Sequence, residues 1–191
     1  MVIFRRLLVF LCLFSICFAQ QPAPPPPALH KCADTPVKTT DGKTIRVSQY
    51  HGKVVMIVMF LTTCNDCLAT LQLLGRLQNE MGPRGLQVIA VSLDENAAVV
   101  TPFAERYRFP FPVGHLDKEG AIELGNMKKE SHPFVPYLMF VDWMGNIRFQ
   151  YQGNDQMWGK GEQNIRGIAT GLLRQAAEKT GPVYKTKPAD K

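Results

Sequence analysis

Cysteine is scarce in this chain, five in 191 residues, which excludes a small scaffold held by a lattice of disulfides. No apolar run reaches the roughly 18 to 20 residues that a membrane-spanning helix needs. The run from Leu7 to Ala19 has thirteen. Basic residues alternate with acids and are not interleaved with aromatics along a line that would follow a phosphate backbone, so nucleic acid is not an expected partner. No internal repeat is visible. What remains is 46% apolar, enough to bury the core of one globular domain with appendages.

The N-terminus has the layout of a secretory signal peptide over residues 1–19. Arg5 and Arg6 precede the apolar run, and Cys17-Phe18-Ala19 offers small residues at the cleavage positions. Val9-Phe10-Leu11 before Cys12 and Phe14-Ser15-Ile16 before Cys17 do not place Leu and small side chains in the order that lipid attachment prefers. An exported chain is therefore expected, periplasmic or otherwise extracytoplasmic, and tethered to the membrane only if the leader stays. Without Arg5 and Arg6 it has 20 basic and 16 acidic residues, a formal charge of +4. Residues 20–34 contain "PAPPPP", which favours an extended spacer. Residues 181–191 include "KTKPADK", a basic tail without apolar periodicity. The domain is expected over 35–180.

Within it, "TTDGKTIRV" reads as two extended pieces joined at Asp-Gly, and "GKVVMIVMFL" as a strand buried on both faces. Cys67, Leu68, Leu71, Leu74, Leu77 and Met81 recur at helical spacing until Gly82-Pro83 stops them. A second buried strand is predicted over Gly85 to Leu93 and a helix within Asn96 to Tyr107. "PYLMFVDWMGNIRFQYQG" predicts an antiparallel hairpin turning at Asp142 to Asn146, and a final amphipathic helix runs from about Glu162 to Lys179. The expected fold class is α/β, a mixed sheet flanked by helices.

Cys64 and Cys67 sit i, i+3 at the start of a helix. The first turn presents unpaired N–H groups and the positive end of the dipole, which stabilise a thiolate on Cys64. Cys67, one turn inward, can attack a mixed disulfide on Cys64 and close a Cys64–Cys67 disulfide. A structural zinc site would also use Cys-X-X-Cys, but Cys32, His30, His51, His115 and His132 contain no second close-set pair. No metal and no cofactor is expected; a static structural disulfide is the stronger competitor in an exported chain. Met127, Met139, Met144 and Met157 lie in different elements and read as packing rather than a copper loop. Cys32 is left without a partner and reads as a small residue at the domain edge.

From about Cys32 to Leu173 the chain resembles the thioredoxin superfamily, more narrowly its extracytoplasmic TlpA/ResA-like thiol–disulfide oxidoreductases. The resemblance is carried by "DGKTIRVSQYHGKVV", the strand ending in Cys-X-X-Cys, an extra strand-helix segment from Gly85 to Tyr107, "FVPY" and "FVDWMGNIRF". It implies a thioredoxin-like fold and a redox-active pair at Cys64 and Cys67. It also implies a cis bond between Val135 and Pro136, placing both beside the dithiol to bind an extended substrate. The implied partners are protein dithiols or disulfides and an upstream membrane or soluble thiol donor, with the chain a monomer.

Three positions depart from the family's pattern. Thr63 stands where Trp is usual before the first cysteine, Asp66 where Pro often precedes the second, and Val58 where a buried acid or polar residue is common. Slow resolution of the mixed disulfide is expected unless Glu119 or Glu123 approaches Cys67. Asp66 suits the helix dipole but opposes a thiolate on Cys64, so a reductant or weak oxidant is expected. A binding module with a static disulfide is the alternative. A thiol peroxidase is disfavoured by Leu61, three positions before Cys64, where the peroxidase motif carries Thr or Ser.

Overall fold

The computed structural model describes residues 30–180. The leader, most of the spacer and the basic tail lie outside the described residues. The centre of the molecule is strand β4 (Val54–Phe60), in which every residue is buried. Its Val and Ile side chains suit a strand covered on both faces. β5 (Leu86–Ser92) pairs with it in parallel and β7 (Tyr137–Val141) antiparallel. From β5 the chain crosses through α2 (Val100–Tyr107) to β6 (Val113–His115), again parallel, while β7 folds back on β8 (Asn146–Tyr151). The edges are the β2 (Val37–Thr39) and β3 (Thr44–Ile45) hairpin on β6, and β1 (His30–Lys31) on β8. The order is β1-β8-β7-β4-β5-β6-β2-β3, a mixed sheet.

Alternation along β4 divides the core in two. Val54, Met56, Val58 and Phe60 face α1 (Asn65–Met81) and α4 (Gly161–Thr180), whose Leu71, Leu74, Ile165, Ala169 and Leu172 cover them. Val55, Ile57 and Met59 face the other way, onto Ala121 and Leu124 of α3 (Lys118–Leu124), Tyr137 and Cys32. The two strands and the helices read from the apolar pattern are all present, as is the hairpin.

The hairpin turn follows from two residues. Asp142 Oδ1 receives the backbone N–H groups of Met144 at 3.0 Å and Asn146 at 2.9 Å, and Gly145 adopts φ +84°, which L side chains avoid. The buried carboxylate is also paired with Arg148 at 3.5 Å.

The sheet begins earlier than the spacer reading of 20–34 allows: His30 pairs with Ile147 and Lys31 with Asn146. A two-residue strand has no alternation to read. Cys32 then turns inward, its N–H donating to the Gly145 carbonyl at 2.9 Å and its thiol to the Leu124 carbonyl at 3.7 Å. Burial, with a smaller push from the Asp34 carboxylate, raises this thiol from 9.0 to about 12. The native state thus keeps a proton that the unfolded chain loses near pH 9. Stability from this group is intact below pH 9 and falls by about 1.4 kcal/mol per pH unit between pH 9 and 12. Urea midpoints at pH 8 and 10.5 test this: the alkaline loss should be smaller in Cys32→Ala than in the wild type, because other alkaline titrations are common to both.

Candidate functional site

β4 ends at Phe60 and the chain turns through Leu61, Thr62 and Thr63 into α1. Cys64 is the N-cap, with extended backbone at φ −90° and ψ 112°, and its Sγ accepts the Cys67 N–H at 3.1 Å. The Cys64 N–H itself donates to the Leu61 carbonyl at 3.1 Å, closing the turn. One otherwise orphaned donor of the first helical turn therefore points at sulfur, where it stabilises negative charge. The two sulfurs are bonded, with Cα atoms 5.2 Å apart. Cys64 is half-buried among exposed Thr63, Asn65 and Asp66, whereas Cys67 is fully buried. An incoming sulfur reaches the pair only at Cys64.

The Val135–Pro136 bond is cis and leads directly into β7, where Tyr137 pairs with Met59, one residue before the end of β4. Pro136 and the dithiol therefore share one end of the sheet. Val135 and Cys64 pack against the same apolar cluster. Beside them Phe134 is 59% exposed, a large apolar side chain facing solvent. Gly153 backs this loop: its N–H donates to the Phe134 carbonyl at 2.8 Å, and a Cβ there would stand 2.5 Å from the Val135 oxygen and 3.1 Å from Pro136 Cδ. Gly153→Ala must push the loop away. It is expected to destabilise the fold by roughly 1 to 3 kcal/mol while leaving Cys64 alkylation by a small reagent unchanged, as urea unfolding and iodoacetamide labelling would show.

Glu119 and Glu123 do not approach Cys67. They lie on α3, across the sheet from α1, and line a cavity of about 730 Å³ with Ala33, Lys118, Asn126 and Met127. Helix α3 has only seven residues, too few for the sequence to reveal which face of the sheet it covers. Cys67 belongs instead to the apolar cluster on the other face of the sheet, with Val58, Phe60, Leu71 and Leu74 among its members, all fully buried. The methionines are dispersed: Met139 in β7, Met157 buried before α4, Met127 after α3, Met144 exposed on the hairpin. Among the described residues no group of three or more His, Cys, Asp or Glu side chains is placed to hold a metal ion.

Sequence reading missed Asp94, whose carboxylate binds Thr62 two residues before Cys64. The available signal was positional: "LDEN" follows β5, and sites in parallel sheets gather at the C-terminal ends of neighbouring strands.

The profile of the AhpC/TSA family matches residues 29–150. The thiol–disulfide oxidoreductase ResA of Oceanobacillus iheyensis is 36% identical over 83 residues, 44% of this chain and 43% of that protein. The ResA of Bacillus thuringiensis subsp. konkukian is 30% identical over 86 residues, 45% of this chain and 49% of that protein. The chain thus spans less than half the length of these curated relatives. Among solved structures, a thioredoxin-family thiol:disulfide interchange protein from Chlorobium tepidum superposes with a TM-score of 0.65 at 18% identity, covering 80% of this chain and 99% of that one. The exposed lipoprotein thioredoxin of Streptococcus pneumoniae gives 0.60 at 22% identity, covering 73% and 100%. At these identities the superpositions establish a thioredoxin-like fold. With the matched stretch running from the edge of β1 through the dithiol and nearly to the end of β8, the chain belongs to the AhpC/TSA family.

Proposed function

We propose that the protein is a thiol–disulfide oxidoreductase that exchanges electrons with protein disulfides outside the cytoplasm, as a reductant or weak oxidant. The observation that carries the reading is the asymmetry of the pair: Cys64, half-buried, caps α1 and accepts an N–H on sulfur, while Cys67 is sealed behind it. The similarity to proteins named thiol–disulfide oxidoreductase supports it. The signal-like leader supports an extracytoplasmic site of action.

In the reducing direction, the Cys64 thiolate attacks one sulfur of a substrate disulfide. A mixed disulfide forms, and the other substrate sulfur leaves as a thiolate that takes a proton from solvent. Cys67 then gives up its proton and its thiolate attacks Cys64 Sγ. The Cys64–Cys67 disulfide closes, the second substrate thiolate leaves, and two electrons have passed to the substrate. An upstream dithiol restores the pair by the reverse exchange. Val135 and Pro136 present the backbone against which an extended substrate lies, with Phe134 as an apolar neighbour.

The apolar wall at Val58 favours a second reading, a binding module whose disulfide stays closed. Reduction of the disulfides of insulin separates the two. Turnover by the wild type and its loss when Cys64 and Cys67 are both replaced by Ser are expected; equal rates would leave the binding module. Peroxide consumption should stay at background.

A further inference from the structure

The turn between β4 and α1 is held from the side by the loop after β5. Asp94 Oδ2 receives the Thr62 backbone N–H at 2.9 Å, and Oδ1 the Thr62 hydroxyl, also at 2.9 Å. Ser92 Oγ donates to Oδ2 at 2.7 Å and accepts the Asp94 N–H at 3.1 Å. Ser92 is fully buried and pairs in register with Phe60, so this anchor stands at the end of the two central strands. The loop is pinned twice more: the Leu93 N–H donates to the Phe60 carbonyl at 2.8 Å, and His115 Nε2 lies 2.7 Å from the Asp94 carbonyl oxygen. A rigid carboxylate thus grips a residue only two positions from Cys64.

We infer that Asp94 is a positioning residue for the dithiol: its two-pronged grip on Thr62 fixes the turn so that Cys64 Sγ stays within bonding reach of Cys67. The inference rests on the reading of Cys64 and Cys67 as a redox pair. Closing an intramolecular disulfide is favoured in proportion to how much of the time the two sulfurs are held together, an effective concentration set by the rigidity of what lies between and beside them. Four residues at a helix start contain little rigidity of their own on the N-terminal side, because the first turn has no preceding helical hydrogen bonds. The Asp94 grip supplies it. Releasing the grip lets the turn sample arrangements in which the sulfurs are apart, which favours the dithiol and raises the reduction potential.

Charge and positioning are separated by the choice of variant. Asp94→Ala removes the grip and the charge together. Asp94→Asn removes the charge but keeps the grip, because the amide oxygen can receive the Thr62 N–H while the amide N–H donates to the Thr62 hydroxyl. Thr62→Val removes one prong and leaves every charge in place.

The experiment is the glutathione-series redox titration of the Cys64–Cys67 couple in the full chain, with the urea midpoint measured alongside. Asp94→Ala is expected to move the equilibrium towards the dithiol about tenfold, or about 30 mV, and Thr62→Val about threefold, or about 14 mV. Asp94→Asn should stay within about twofold of the wild type. Adding Thr62→Val to Asp94→Ala should shift the couple no further than Asp94→Ala alone. An unchanged potential in Asp94→Ala with a lowered urea midpoint overturns the inference, since the residue then supports the fold only. An Asp94→Asn shift as large as that of Asp94→Ala also overturns it, because charge would then be the cause. Should Asp94→Ala not fold, Thr62→Val decides: a shift supports the grip and its absence overturns it. A wild-type couple that does not titrate at all removes the redox reading itself, whereas a titrating wild type with unmoved variants removes only the role of Asp94.

Discussion

Replacing Cys64 with Ser is expected to lower disulfide exchange to background, a loss on the order of a thousandfold or more, whereas Cys67→Ser should keep the first half of the reaction and stop there. The asymmetry follows from position. Cys64 caps α1, accepts the Cys67 N–H at 3.1 Å and is half-buried; Cys67 is fully buried beneath it. Without Cys64 sulfur, the remaining thiol has no route to a protein disulfide. Without Cys67 sulfur, Cys64 still attacks, but nothing releases the substrate, and a covalent complex accumulates. Non-reducing electrophoresis after mixing with a disulfide-bonded protein reads both outcomes: an adduct with Cys67→Ser and none with Cys64→Ser. An adduct formed equally by both variants would mean that the two cysteines are interchangeable, which the burial of Cys67 does not allow.

The second large effect concerns Val58, a member of the same buried apolar cluster as Cys67. Val58 is fully buried on the α1 face of β4, between Ala90 of β5 and Leu138 of β7, and the neighbouring core side chains there carry no charge. Cys67 must lose its proton in surroundings that disfavour the thiolate. Val58→Asp places a carboxyl in that cluster, and the resolving step should accelerate roughly a hundredfold, at the lower end of what a positioned base contributes. The same substitution buries an ionisable group and is expected to destabilise the fold by on the order of 3 kcal/mol. Val58→Asn separates the two effects. It carries a similar stability cost but no base, so it should leave the rate unchanged. Stopped-flow fluorescence of mixed-disulfide resolution measures the rate, and urea unfolding the cost. Equal rates in wild type and Val58→Asp would show that proton removal from Cys67 does not limit resolution.

The large features were legible because each leaves a repeating mark on the chain. The buried run of β4, the helical spacing after Cys67 and the acid-turn-Gly hairpin all follow from burial of apolar faces or from a positive φ at Gly145. The short elements were not. β1, β6 and α3 have two, three and seven residues, too short for a period of two or 3.6 to register, and they form because a neighbouring edge or face is waiting for them. For the same reason the side of the sheet on which Glu119 and Glu123 lie was invisible, while Asp94 was hidden because its partner Thr62 is 32 positions away. The dithiol could be read from four residues, but the groups that hold it could not.

The reduction potential of the Cys64–Cys67 pair, measured by alkylation and mass spectrometry across a glutathione series, tests the account most directly. The expected result is one reversible two-electron transition between about −270 and −180 mV, the range of thiol reductants and weakly oxidising dithiols. A pair that stays closed below about −300 mV would be a structural disulfide, and one near −120 mV would be a dedicated oxidant; either result would contradict the account.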